Sequence, residues 1–466
     1  MKAGRLIVWA AIAALGAYGL ALVAFAHGEH WPNTAWFIIA AICFYSLGYR
    51  FYSRFIAFRI LELHGSRPTP ALRLNNGRDY VPTPRWITFG HHFAAIAGPG
   101  PLVGPVLAAQ FGYLPSILWI VIGAVLGGCV QDFVILGYSL RRDGRSLGKM
   151  ARDEIGPLGG FTALAGVLLI MVILIAVLGL VVVNAMKHST WATSTVAATV
   201  PIAMIVGVYM TYLRPGRILE ASVLGLILIM AAVVAGRYTG QLWFGYLFDM
   251  GAPQLALWII GYGFLASVLP IWVLLAPRDY LSAFIKIGTI VALAIAMIAL
   301  HPVALMPALT RFTDGNGPVF GGKVFPFAFI TVACGAISGF HSLIASGTTP
   351  KMLQDERDAR IVGYGCMMME SFVAVMALVA AVMLEPGVYF AINSPAGVAG
   401  TGAAACARIA SWGFPVTLQQ MNHLAATMGE TSLFSRTGGA PSLAVAMAQI
   451  FARSLGGGAV IAVWYH

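Results

Sequence analysis

Two adjacent histidines, His91 and His92, begin a stretch that is apolar enough for a membrane interior but rich in glycine and proline. Imidazole takes up a proton nearest to physiological pH, so a histidine here could hold or pass on a proton. We expect at least one of the pair to face a polar path through the protein. The alternative is that both pack between helices or at the membrane surface. A metal site at this pair is disfavoured, because no third ligand stands at helical spacing from it.

Two carboxylates, Asp132 and Glu370, stand inside other apolar runs. A lone carboxylate in a membrane interior is costly, so each should pair with a partner, bind a cation or hold a proton. The alternative for Asp132 is a structural ion pair with an arginine such as Arg278. Both carboxylates are therefore candidates for the same polar path.

Hydroxyl groups and one more histidine lie near the end of a further apolar run. Such hydroxyls could bind a carboxylate or sodium, although close packing of small residues explains serines in helices equally well. The group comprises Ser338, His341, Ser346, Thr348 and Thr349. The residues that we expect along a substrate or ion path are His91, His92, Gly98, Pro99, Gly100, Gln110, Asp132, Ser338, His341, Thr348, Thr349 and Glu370.

The segment from Gly90 to Gln110 should be a broken helix. Pro99, Pro101 and Pro105 each remove a backbone hydrogen bond, and lipid does not replace it. Broken helices in transporters line the substrate and ion position, and their free N-terminal amides suit an anion. The Gly-x-x-x-Gly spacings at Gly100/Gly104 and Gly123/Gly127 are typical of close helix packing.

The composition belongs to a multi-pass membrane protein. Of the 466 residues, 59% are hydrophobic and only 10% are charged, and the mean hydropathy is +0.84, which excludes an ordinary soluble domain. The formal net charge of +11 is an orientation signal of basic loops and does not predict nucleic-acid binding. The five cysteines are widely separated and resemble small core residues, so we expect neither a disulfide framework nor a zinc site.

Apolar runs of spanning length predict an all-α polytopic fold with about eleven spans. With the N-terminus inside, 21 of the 28 Lys and Arg residues lie in or beside inner loops. Ala24-Phe25-Ala26 resembles a signal-peptidase site, but the first run is longer than a signal core, which favours a retained span. The predicted spans are 6–26, 34–55, 86–110, 116–140, 160–183, 193–213, 219–236, 255–276, 283–300, 326–346 and 361–384.

The spacing of helix breakers predicts two inverted five-helix repeats. The second repeat would begin at 255–276, which carries Pro270 after two glycines, as the first begins with the broken segment. The chain divides into residues 1–85 with two spans and a basic loop, the first repeat at 86–236, the second at 237–384 and an outer region at 385–466. The final apolar run is too short to cross a membrane, so the second repeat should be incomplete.

Several further motifs in order along the chain carry a family resemblance. They are Asn76-Gly77 with Tyr80-Val81-Pro82-Thr83, Val130-Gln131-Asp132-Phe133, Leu213-Arg214-Pro215-Gly216-Arg217, Leu275-Ala276-Pro277-Arg278-Asp279-Tyr280-Leu281, the run from Gly335 to Lys351, and Gly438-Gly439-Ala440-Pro441. With the broken segment, they resemble the carbon-starvation protein family of bacterial inner-membrane transporters. That family includes pyruvate:proton symporters and members assigned to peptide uptake, and is similar in architecture to amino-acid transporters with inverted five-helix repeats. Its members continue beyond the position of His466, so the chain resembles a fragment.

The resemblance implies a multi-pass transporter of the bacterial inner membrane, used under carbon starvation. We expect it to import pyruvate or a similar monocarboxylate with a proton, sodium being the alternative ion. Peptide uptake is an alternative substrate class, and a non-transporting membrane sensor or inactive fragment is an alternative of another kind. We expect no cofactor, no nucleic-acid partner and no enzymatic activity, because no nucleophile and base stand at a usable spacing. The lipid bilayer is the expected environment.

Overall fold

The structure is a computed structural model that describes residues 3–25, 32–214, 217–269, 275–456 and 461–465. In that part of the chain the secondary structure is helical, and β pairing is limited to isolated bridges. The first helices are α1 (Ala3–Phe25), α2 (Thr34–Leu47), α3 (Ser53–Phe55), α4 (Pro70–Arg73), α5 (Arg85–Ile96), α6 (Gly100–Ala108), α7 (Leu114–Gly123), α8 (Cys129–Leu140), α9 (Leu147–Ile155), α10 (Pro157–Met186), α11 (Thr190–Val208) and α12 (Ile218–Thr239). The remaining helices are α13 (Ala252–Val268), α14 (Leu275–Leu300), α15 (Val324–Thr331), α16 (Ala333–Ala336), α17 (Gly339–Gly347), α18 (Cys366–Val382), α19 (Pro386–Asn393), α20 (Ala396–Ala399), α21 (Gly402–Ser411), α22 (Leu418–Met428), α23 (Ala440–Leu455) and α24 (Ile461–Tyr465).

Short π-helical segments join some of these helices into longer rods. They occupy Gly48–Tyr52, Ile56–Ile60, Ala124–Gly128, Tyr209–Leu213 and Arg360–Gly365. As a result α2 and α3 belong to one continuous helix over Thr34–Ile60, and α7 and α8 to another over Leu114–Leu140. π-Helical turns inside α-helices often occur at functional sites, and the segment Ala124–Gly128 lies just before Asp132.

Eight helices among the described residues are long and apolar enough to cross a membrane. They are Gly4–Phe25, Thr34–Ile60, Leu114–Leu140, Pro157–Met186, Thr190–Val208, Leu219–Thr239, Leu281–Leu300 and Glu356–Val382. A ninth candidate is the bent pair Arg85–Ile96 and Gly100–Phe111. These helices confirm the multi-pass character that the composition predicts. A helix can cross a membrane because it satisfies its own backbone groups in lipid.

Besides the broken segment at 86–110, two of the eleven predicted spans differ from a simple long helix. The span predicted at 255–276 contains α13, which has 17 residues, and its proline, Pro270, lies outside the described residues. The span predicted at 326–346 is divided among α15, α16 and α17. A break between α16 and α17 therefore lies inside this predicted span.

The chain forms two compact units. One comprises Met1–Ile175 with His301–Glu385, and the other comprises Ala176–Leu300 with Pro386–His466. In the first unit α18 is central: every residue from Val373 to Val382 is at most 4% exposed, and α2, α5, α6, α7 and α16 pack around it. In the second unit α11 packs against α12 and α14, with Val206, Ala221 and Leu281 in their shared core.

The mixed charges of the run from Lys351 to Arg360 predict a solvated loop, but this run packs against the loop that precedes α5. Backbone bonds join Val81 to Lys351 and Thr83 to Met352. Glu356 is only 3% exposed, so the solvated interpretation is wrong for this residue. Its carboxylate can be buried because Arg141 Nε and the His64 amide donate hydrogen bonds to it.

Candidate functional site

The predicted break in the first glycine-rich segment is confirmed. The axes of Arg85–Ile96 and Gly100–Phe111 differ by 45°, and Ala97 leaves helical geometry with φ −77° and ψ 63°. Pro99 is the N-cap of α6, Pro101 lies in its first turn and Pro105 lies inside it. Proline fits the first turn of a helix but not the interior of a continuous one, so the chain ends α5 and starts α6 here.

A second break, between α16 and α17, was not predicted. Ile337 (φ −158°, ψ 106°) and Ser338 (φ −108°, ψ 124°) are extended. The Gln131 side chain on α8 donates from Nε2 to the Ser338 carbonyl oxygen at 2.6 Å, which satisfies a backbone group that a helix would have used. This partner comes from another helix and no proline stands at the position, so neither proline spacing nor local pattern predicted the break.

The two breaks are neighbours in space. A Cβ added at Gly100 would lie 2.5 Å from the sulfur of Cys334 on α16, and one added at Gly104 would lie 2.1 Å from the Thr331 carbonyl oxygen on α15. On α7, an added Cβ at Gly123 would be 3.1 Å from the Ala336 Cβ. The predicted packing role of these glycines is therefore confirmed, since only residues without a Cβ permit this approach.

Three ionisable side chains meet beside the second break. His341 on α17 places Nδ1 2.9 Å from Asp132 Oδ2 on α8 and Nε2 2.9 Å from Glu370 Oε2 on α18. All three side chains have 0% exposure. Asp132 therefore pairs with His341, whereas Arg278, its alternative partner, donates to the Tyr262 hydroxyl. Buried charges in a membrane protein must compensate one another in this way.

The contact between His341 and Glu370 differs from the one between His341 and Asp132. Nδ1 of His341 is hydrogen-bonded to Asp132, but neither His341 Nε2 nor Glu370 Oε2 has a hydrogen-bond partner, although the two atoms are 2.9 Å apart. The contact between these two atoms is thus a close ion pair. Such a pair leaves room for a change of protonation at one point inside an otherwise satisfied cluster.

Cys334 is a member of the site that the sequence prediction missed. Its sulfur lies 3.4 Å from Glu370 Oε1 and 3.8 Å from the Ser338 hydroxyl. Donor atoms of Cys334, His341 and Glu370 all lie within 4.8 Å of one another, so they could share one metal ion or one proton. The prediction of no metal site had weighed the pair His91–His92 and the wide spacing of the five cysteines. A single cysteine in an apolar run carries no distinguishing signal.

One member of the predicted histidine pair, His92, also contacts one of the predicted hydroxyl groups, that of Thr349. His92 Nδ1 lies 2.6 Å from the Thr349 hydroxyl, with both side chains buried, and His92 Nε2 has no hydrogen-bond partner. His92 is close enough to His341 for their charges to interact. Of the histidine pair, His92 is thus buried near the cluster, whereas His91 is partly exposed.

Other predicted path residues have different surroundings. Gln110 binds a loop, because Oε1 accepts from Val319 N and Phe320 N while Nε2 donates to the Phe320 carbonyl. Thr348 is the C-cap of α17, and Gly98 has open space where a Cβ would stand. The structure therefore joins Asp132, Ser338, His341 and Glu370 at one centre, with Pro99 and Gly100 beside it, and leaves Gln110 in a loop contact.

Comparison with known proteins agrees with the motifs in the sequence. The family described as Carbon starvation protein CstA matches residues 33–466. The chain is 53% identical over 473 residues to the "Peptide transporter CstA" of Escherichia coli (strain K12), an alignment that covers 100% of this chain and 67% of that protein. It is 56% identical over 462 residues to the protein of the same name from Helicobacter pylori (strain J99 / ATCC 700824), covering 99% and 67%.

A differently named relative is similar to nearly the same extent. The "Pyruvate/proton symporter BtsT" of Escherichia coli (strain K12) is 48% identical over 486 residues, covering 99% of this chain and 67% of that protein. The chain thus spans about two thirds of the length of these curated relatives, and no solved structure matches it. Its apolar helices and transporter relatives make it a multi-pass protein of the bacterial inner membrane. The chain belongs to the carbon starvation protein CstA family.

Proposed function

We propose that this chain is a secondary transporter that imports a small carboxylate, with pyruvate as the first candidate, together with a proton. The observation that carries the proposal is the fully buried cluster of Asp132, His341 and Glu370 beside two helix breaks. Ionisable groups inside a membrane protein mark ion and substrate pathways. The relatives named as transporters agree with this role.

The charges of the cluster favour a proton as the coupling ion. With a protonated His341, the two carboxylates leave one net negative charge, and one further proton makes the cluster neutral. Uncompensated charge is costly in apolar surroundings. The facing atoms His341 Nε2 and Glu370 Oε2 provide a place where that proton can be gained and lost. One of the relatives is named as a proton symporter.

The two breaks favour a carboxylate as substrate. Helices α6 and α17 both begin at a break, and helix N-termini carry partial positive charge and free amides. Gly98 and Gly339, at these breaks, have no atom within 4 Å of a built Cβ, so the backbone is approachable there. A carboxylate bound near these N-termini would neighbour Cys334 and Glu370, which links substrate binding to the protonation of the cluster.

We further propose the finer architecture: about eleven spans, an inside N-terminus and two inverted five-helix repeats. The concentration of Lys and Arg in alternate loops supports the orientation. The broken segment that opens residues 86–236 supports the first repeat. In this division, residues 1–85 precede the repeats, residues 237–384 form the second and residues 385–466 are the outer region.

Peptide uptake is the second candidate function. It is favoured by the names of several relatives, including those from Escherichia coli and Helicobacter pylori. A peptide also ends in a carboxylate, so the same helix N-termini could bind it. The cluster would then couple peptide entry to the proton, and only the substrate would differ.

The test is uptake into proteoliposomes that contain this chain. We expect an inward proton gradient to accelerate uptake of labelled pyruvate, and an equal inward sodium gradient to have no effect. In Glu370→Gln the gradient-driven rate should fall at least tenfold, because the amide cannot take up the proton. Exchange of internal for external substrate needs no net proton movement, so it should persist in this variant.

A matched control and the opposing outcomes complete the experiment. Glu220 lies on α12 with its side chain 42% exposed, so Glu220→Gln removes one carboxylate without touching the cluster and should leave uptake unchanged. Acceleration by sodium alone, or an unchanged gradient response in Glu370→Gln, would refute proton coupling at this site. Sensitivity to a metal chelator would favour a metal ion at Cys334. Uptake of a labelled dipeptide in place of pyruvate would support the second candidate, and uptake of neither would support a non-transporting role.

A further inference from the structure

Arginines concentrate at one end of the paired helices α1 and α2. The continuous helix Thr34–Ile60 carries Arg50, Arg54 and Arg59 in its last turns. The first turns of α1 lie beside them, since the rings of Trp9 and Phe51 are 5.5 Å apart and edge to face. The Arg50 guanidinium lies 5.9 Å from the centroid of Trp9. The end of this helix pair is therefore strongly basic.

A fourth guanidinium, that of Arg360, is held against the same helix by hydrogen bonds. Arg360 donates from Nη2 to the Tyr49 carbonyl at 2.6 Å and from Nε to the Ser53 hydroxyl at 2.8 Å. It also lies 4.4 Å from the centroid of the Tyr49 ring. Arg50 and Arg54 are close enough to repel it electrostatically. Arg360 is thus fixed where like charges oppose it.

No described carboxylate forms a salt bridge with Arg54 or Arg360. The acids on the loop before Arg360 have other partners: Asp355 pairs with Arg357 at 2.6 Å, and Asp358 with Arg85 at 3.7 Å. A cluster of like charges held by specific contacts is favourable when an anion lies among them.

The surface around the arginines is apolar and exposed. Phe51, Phe55 and Phe58 are 44%, 53% and 52% exposed, and the Arg54 guanidinium lies 5.7 Å from the Phe58 centroid. Arginine and aromatic side chains at the end of a spanning helix are typical of the boundary between lipid headgroups and acyl chains. A free phosphate ion would use the guanidinium groups but not this apolar surface.

We propose that Arg50, Arg54 and Arg360 bind the phosphate of an anionic phospholipid whose acyl chains lie on Phe51 and Phe55. Arg360 is the fixed donor, and Arg50 and Arg54 complete the site. Like the basic loops that precede α5, the site lies on the side of the membrane that we assign to the cytoplasm. This lipid site is independent of the substrate and of the proton cluster.

The experiment measures lipid retention by the purified full chain. Native mass spectrometry in detergent, with added phosphatidylglycerol or phosphatidylcholine, should show retention of phosphatidylglycerol alone. Each arginine near an anionic lipid contributes roughly a fivefold change in affinity. Arg54→Gln should therefore weaken retention about fivefold, and Arg50→Gln/Arg54→Gln about 25-fold, whereas Arg54→Lys should retain most of it.

The control variant removes the same charge elsewhere. Arg78→Gln/Arg152→Gln changes two exposed arginines, one in the loop before α5 and one on α9, and should retain phosphatidylglycerol like the parent chain. If both double variants lose the lipid equally, attraction is general and the site is refuted. Displacement of the lipid by millimolar inorganic phosphate would also overturn the proposal, because the site would then accept free phosphate. If the double variant fails to fold, the exposed single substitution Arg54→Gln decides the question.

Discussion

Gly104→Ala should disturb the contact that holds the two helix breaks together. A Cβ at this position would lie 2.1 Å from the Thr331 carbonyl oxygen and 3.3 Å from the Thr331 carbonyl carbon. Both are backbone atoms, so no side-chain rotation can relieve the clash. Helices α6 and α15 would have to separate instead, and with them the neighbouring pair Gly100 and Cys334.

The expected magnitude follows from two opposing terms. Overpacking a well-packed contact costs about 1–3 kcal/mol, while replacing glycine by alanine inside a helix gains about 1 kcal/mol. Because the clash involves backbone, the upper part of the first range applies, and the net loss of stability should be about 2 kcal/mol. Uptake should fall as well, since Cys334 contacts Glu370.

The first assay is equilibrium unfolding of the purified chain in mixed detergent, monitored by the helical signal in circular dichroism. The second assay is uptake. Gly166→Ala is the matched control: Gly166 lies inside α10 and has no atom within 4 Å of a built Cβ. That control should be neutral or up to about 1 kcal/mol more stable. If Gly104→Ala and Gly166→Ala have the same free energy of unfolding, the inference that α6 and α15 are in close backbone contact is wrong.

Three further predictions concern the loops. Gln110→Ala removes the side-chain partner of the Val319 and Phe320 amides and of the Phe320 carbonyl. Hydrogen exchange of these two amides should accelerate about fivefold or more, for a loss of about 1–3 kcal/mol. Unchanged exchange would show that water replaces the glutamine. Glu356→Gln weakens the charge-assisted bonds, each 3.1 Å long, from Arg141 Nε and the His64 amide, and should destabilise the chain by about 2 kcal/mol in the same unfolding assay, with a parent-like curve as the contrary result. Hydrogen bonds from Arg357 hold the pKa of Asp355 below its usual 3.8. The small stabilisation from these bonds should therefore be complete above pH 3.8 and disappear as the pH falls through the lower pKa of the folded state. Unfolding curves of the parent and Arg357→Gln should converge in acid, and a constant difference between them would contradict this.

Much of the membrane architecture was predictable because its causes are local in the chain. Long apolar runs predict spans, and eight such helices, together with the bent pair, lie within predicted spans or overlap them. Proline chemistry determines the break at Pro99 and Pro101, since the missing amide is a property of the residue itself. Glycine spacing likewise predicted the close packing at Gly104.

Only the tertiary structure decided how the polar residues combine. Asp132 and His341 are 209 positions apart, and apolar helices of similar hydropathy offer no sequence signal of which ones pack together. For the same reason the sequence left open, for Asp132, both a place in the polar path and a structural ion pair with an arginine such as Arg278. The break at Ile337 and Ser338 depends on a hydrogen bond from Gln131 of another helix, and Gln110 turned inward to a loop that no local pattern places near it. The sequence by itself determined which segments enter the membrane and where the break between α5 and α6 lies, because both are local consequences of residue type. The packing of distant helices determined the buried ionisable centre.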